Sequence, residues 1–109
     1  MARTKRDKLT LFEAWLRENF QTPYPVVVQY RKLEGRGESK VWGDTYRDGR
    51  KLFITVDPRM TLGDSIAILI HEWAHAVVWR HETVERNRVH HDDEWGLAYA
   101  KIYSAWHDR

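Results

Sequence analysis

A chain of 109 residues, 42% hydrophobic and with six Trp, is the size of one domain built round one compact core. Its formal net charge of +2 is too mild to demand a polyanionic partner, and no apolar run is long enough to cross a bilayer. The absence of cysteine excludes disulfide frameworks and thiolate metal sites, so any metal ion must fall to His, Asp or Glu, and there are six histidines. The expectation is a single domain over residues 1–109, soluble, cytoplasmic and monomeric, with no membrane partner.

The chain opens on "MARTKRDK", where Arg3, Lys5, Arg6 and Lys8 face only Asp7. This stretch reads as a basic, flexible tail over residues 1–8, and the one function it offers is weak contact with DNA phosphates. Leu9, Phe12, Leu16 and Phe20 then recur at helical spacing with Trp15 beside them, predicting a helix over 9–20 that "QTPYP" stops. Three stretches rich in β-branched and aromatic residues follow, 25–33, 39–47 and 50–57, and predict strands. "EGRGES" joins the first two, and Asp48-Gly49 supplies a two-residue hairpin turn between the second and third. An extended substrate is expected to lie beside an edge strand, either "KVWGDTYR" or "KLFITV", with Trp42 as an aromatic contact.

In "TLGD", Thr61 is placed to cap the next helix and Asp64 to complete a capping box, with the helix running from about Leu62 to about Trp79. Polar "RHETVERNRVHHDD" separates it from a final helix, "EWGLAYAKIYSAW", capped by Asp92 or Asp93. Trp73, Trp79, Trp95 and Trp106 are expected to fill the core. The layout is α+β: an N-terminal helix, a small and mostly antiparallel three-stranded sheet, a central helix and a C-terminal helix.

The chemistry sits in "SIAILIHEWAHAVVW". From Ile66 to Trp79, fourteen residues, only His71, Glu72 and His75 are polar. Buried polar groups without partners cost several kcal/mol, so something must compensate these three. Residues four apart on a helix differ by roughly 40° in azimuth, which puts His71 and His75 on one face, one turn apart. Glu72 lies beside the first of them. This is the HExxH arrangement, in which two His hold zinc and the Glu acts as general base on a water that the metal acidifies.

A catalytic zinc takes a third protein ligand, and His81, His90, His91, Glu94 and His107 are the residues on offer. His81 is turned away from the metal face if the helix continues, and His107 sits at the chain end. His90 and His91 follow a connection long enough to reverse the chain, and Glu94 would make a His-His-Glu site. Tyr99 and Tyr103 are the residues available to stabilise an oxyanion.

"HEWAH" followed by "HDDEWGLAYAKIY" resembles the SprT-like zinc metallopeptidases, most closely the small metallopeptidases encoded by bacteriophages and prophages. The resemblance covers about residues 50–106. It implies a minimal zincin-like domain with one Zn2+ on His71, His75 and His91, and Glu72 as base, acting on peptide bonds of a protein or peptide. The family's Gly-Pro after the third His is Asp92-Asp93 here, and related minimal gluzincins, whose third ligand is Glu, keep Glu94 open; His90 is one residue out of register. The expectations from other classes are a DNA-associated accessory protein with a structural zinc, and a hydrolase of another amide bond.

Overall fold

The computed structural model describes residues 3–33, 42–80 and 93–109. Its order is α1 (Lys5–Asn19), β1 (Val26–Tyr30), β2 (Gly43–Asp48), β3 (Lys51–Val56), α2 (Leu62–Val77) and α3 (Asp93–His107), an α+β arrangement.

Helix α1 begins at Lys5, four residues earlier than its apolar spacing predicts, because Thr4 and Asp7 form a reciprocal capping box. The Asp7 N–H donates to Thr4 Oγ1 at 3.1 Å, and the Thr4 N–H donates to Asp7 Oδ2 at 3.1 Å. Residues 5–8 are therefore helix rather than tail, and two of the cations are held against the protein. Lys5 Nζ donates to the Pro58 carbonyl at 2.9 Å and also to that of Met60, while the Arg6 guanidinium lies 4.1 Å from the centre of the Tyr30 ring. Leu9, Phe12 and Leu16 form the buried stripe.

The sheet is mixed, in the order β1-β3-β2. Strand β1 runs parallel to β3 with Val26 opposite Leu52, and β2 runs antiparallel to β3 with Thr45 opposite Ile54. A parallel pair needs a long crossover, which here is the chain from Tyr30 to Lys51, β2 included. The hairpin closes on the pair Asp48–Lys51, so its two turn residues are Gly49 and Arg50, one position later than expected. Gly49 takes φ 62°, the left-handed region that a primed turn requires. Strand β3 is central, so "KLFITV" is not an edge, and the edges of the described sheet are β1 and β2.

One face of the sheet packs on α2. Leu52, Ile54 and Val56 meet Leu69, Ile70 and Trp73 in a core that Leu16 and Ile102 close from the other helices. Thr61 caps α2 as expected, accepting from the Asp64 N–H at 3.2 Å. Trp73 is 1% exposed and Trp79 4%, and the Trp73 indole donates to the Phe20 carbonyl at 2.9 Å. Trp106 is half-buried, edge-on to Phe12 at 4.4 Å. Trp95 is likewise half-buried against the core, and its ring also lies on the two α2 histidines. No helix among the described residues is long and apolar enough to cross a membrane.

Candidate metal and catalytic site

Helix α2 carries His71 and Glu72 in its second half and His75 in its last turn, between the sheet and α3. The two imidazole rings lie 5.1 Å apart between centroids, on one face of the helix, as i,i+4 spacing dictates. His75 is 5% exposed, and the His71 side chain is 32% exposed, so the pair opens to solvent at the His71 end.

Helix α3 supplies the facing wall. Trp95 lies 5.0 Å from the His71 ring and 5.4 Å from the His75 ring, and its indole N–H donates to the His71 carbonyl at 3.2 Å. Tyr99 follows one turn later, 5.2 Å from Trp95 and 6.5 Å from His71. Tyr103 lies a further turn along, stacked on Tyr99 at 5.9 Å and 45% exposed. Of the two tyrosines, Tyr99 belongs to the neighbourhood of the histidines and Tyr103 continues the row outward.

Glu72 points the other way round the helix, towards β2. Its carboxylate is buried, and Thr45 Oγ1 donates to Oε1 at 2.7 Å. The other oxygen, Oε2, lies 3.8 Å from His71 Nε2. Burial pushes this carboxyl up to about 7, the Asp44 charge acts in the same sense, and the Thr45 hydroxyl pulls against both. Nothing local in the sequence singles out Thr45. The only signal was a threonine on the same strand face as Gly43, and that becomes meaningful once register is known.

Glu94, the rival third ligand, sits exposed in the first turn of α3 and pairs with Arg80. His81, His90 and His91 lie outside the described residues. His107 is at the end of α3, its ring tilted against that of Tyr103 at 4.2 Å. Among the described residues, no three His, Asp or Glu side chains group to hold a metal ion. The donor chemistry of the described pair, two imidazoles without thiolate, suits zinc.

Two further features frame the site. Trp42, just before β2, is half-buried with the Arg59 guanidinium 5.7 Å from its ring centre. A groove of about 340 Å³ opens where α1 meets β1, lined in part by Arg17, Pro25 and Trp73 and by none of His71, Glu72 or His75.

Comparison of the chain with family models, with curated proteins and with solved structures gives no match.

Proposed function

We propose that this chain is a zinc-dependent metallopeptidase of the SprT-like, minimal zincin kind, hydrolysing peptide bonds of a protein or peptide substrate. The observation that carries the reading is the joint placement of His71 and His75, 5.1 Å apart, with a buried Glu72 whose Oε2 is 3.8 Å from His71 Nε2. In this reading His71 and His75 hold Zn2+ together with His91, with Glu94 and His90 as the alternative third ligands. When bound there, zinc would supply acidification of a water and polarisation of the carbonyl to be cleaved.

The chain's own groups do the rest. Glu72 takes a proton from the water as its oxygen adds to the peptide carbonyl, then delivers that proton to the departing amine. The buried carboxyl, bonded through Oε1 to Thr45, keeps Oε2 on the histidine side for both halves of this exchange. Trp95, against both imidazoles, screens one side of the pair from water. Tyr99, whose ring lies 6.5 Å from that of His71, is the phenol assigned to the oxyanion, and an extended substrate adds as a strand along β2. The enzyme would work as a cytoplasmic monomer, in the host cytoplasm if phage-encoded.

The test is cleavage of unfolded β-casein by the zinc-loaded chain and by Glu72→Gln, each with and without single-stranded DNA. Cleavage by the wild type alone, with zinc bound by both, is the expected result. Equal cleavage by both chains overturns the role of Glu72. Zinc binding without cleavage moves the site to a structural role, and DNA binding in that case would favour the accessory reading.

A further inference from the structure

Helix α2 turns Glu72 to the sheet, and two residues on the inner face of β2 are shaped to that contact. Thr45, 5% exposed, places its hydroxyl 2.7 Å from Oε1. Gly43, two residues earlier, lets the strand close on the helix. A Cβ at this position would stand 2.4 Å from Ile68 Cγ2 and 3.2 Å from Glu72 Oε2. The two carboxylate oxygens are thereby made unequal: Oε1 is tied to the strand, and Oε2 faces His71.

Strand β2 is also an edge of the sheet. The Asp57 N–H donates to the Trp42 carbonyl at 2.9 Å, so Trp42 and Asp57 form a hydrogen-bonded pair continuing the β2–β3 ladder. Bonded and non-bonded pairs alternate in an antiparallel ladder, which makes Gly43–Val56 and Thr45–Ile54 the non-bonded kind. The main-chain N–H and C=O of Gly43 and Thr45 therefore point away from β3, to the side where no described strand lies.

We propose that Thr45 is a positioning residue that couples occupancy of the β2 edge by an extended peptide to the orientation of the Glu72 carboxylate. One residue offers its peptide groups to the incoming chain and its hydroxyl to the base. Pairing along the edge stiffens β2 at Thr45, holds Oε1 in place and leaves proton traffic to Oε2. This inference rests on the peptidase reading, and its test separates the two.

Thr45→Val removes the donor at nearly constant shape, and Thr45→Ser restores it. With zinc-loaded chains and β-casein, kcat should fall about 10- to 100-fold in Thr45→Val with KM changed by less than about threefold, and Thr45→Ser should stay within about threefold of wild type in both. The second readout uses metal-free protein carrying 13C-labelled Glu at pH 8.5. There the Glu72 carboxyl resonance should move in Thr45→Val but not in Thr45→Ser. Added β-casein should shift it in the wild type and leave it still in Thr45→Val. An unchanged kcat in Thr45→Val, a Thr45→Ser as slow as Thr45→Val, or a resonance blind to β-casein in the wild type overturns the proposal. If the zinc-loaded wild type cleaves nothing, the peptidase reading falls and the metal-free resonance still decides the anchor.

Discussion

Among the described residues two carboxylates are buried, and their surroundings could hardly differ more. Asp57, at the end of β3, is 0% exposed and is met on every side by donors. Arg59 gives it Nε at 2.9 Å, Nη2 at 2.6 Å and its own N–H at 3.0 Å, and the Leu33 N–H arrives at 3.0 Å. The Arg59 side chain, above all, holds this carboxyl well below the usual carboxylate range, so it is charged at any working pH. Glu72 is nearly as buried, at 7% exposed, but has one hydroxyl for company and is pushed up to about 7. A buried carboxylate surrounded by donors is a structural anchor, whereas one left short of them retains the capacity to exchange a proton.

The sharpest way to break this comparison is to neutralise each acid in turn. Glu72→Gln should lower β-casein cleavage by about 10²- to 10⁴-fold while zinc stays bound, since only the base is lost. Asp57→Asn should leave the rate per folded molecule intact and lower the thermal midpoint instead. If the two variants exchange phenotypes, the division between anchor and base is wrong. Next in size is metal affinity. Replacing His71, His75 or His91 by Ala should weaken zinc binding by more than about 100-fold in a chelator competition, and replacing His90 or Glu94 should cost far less. The reverse order would reassign the third ligand.

The pH dependence of folding gives a third measure. In the metal-free chain, Glu72 binds its proton up to about 7 when folded, against a reference value of 4.5. Between those two values the folded state holds a proton that the unfolded state has released, so this group's contribution to stability declines as pH rises through the window. Urea titrations of Glu72→Gln against wild type should therefore show the variant gaining on the order of 3 kcal/mol between about pH 4.5 and about pH 7, with no further gain above. A flat difference would mean that Glu72 is solvated. The smallest effect belongs to the aromatic row. Tyr99→Phe should slow cleavage by about tenfold, less than a fully aligned oxyanion donor would, and Tyr103→Phe should leave the rate within about twofold.

The sequence discloses the face of a helix more readily than what that face meets. His71, Glu72 and His75 stand out because everything round them on α2 is apolar, and Thr61 announces the start of that helix through its hydroxyl. The start of α1 was equally written in Thr4 and Asp7, but the surrounding lysines and arginines give the segment the look of a solvated tail. Sheet order is another matter. The pairing of Val26 with Leu52 spans the whole of β2 and depends on which apolar faces bury each other, which local patterning does not encode. The turn displaced by one residue, the parallel pair and the contact of Thr45 with Glu72 all belong to this long-range class. Trp95 illustrates the same limit: an indole on an amphipathic helix is read as core, and only the packing of α3 on α2 puts it on the histidines.

The Asp57 cluster also settles how the chain can vary. Leu33 is bonded through its N–H to Asp57 Oδ2 and through its carbonyl to Arg59 Nη2 at 3.3 Å, and the Trp42 carbonyl accepts from the Asp57 N–H. The two ends of the connection over residues 34–41 are thus clasped by the same two neighbouring residues. Closing a loop whose ends are already fixed adds only a slowly rising cost with length, about 0.6 kcal/mol for each doubling. With Leu33 and Trp42 both held on this cluster, a change in the length of chain between them is expected to cost the fold little, which urea titrations of insertion variants would read.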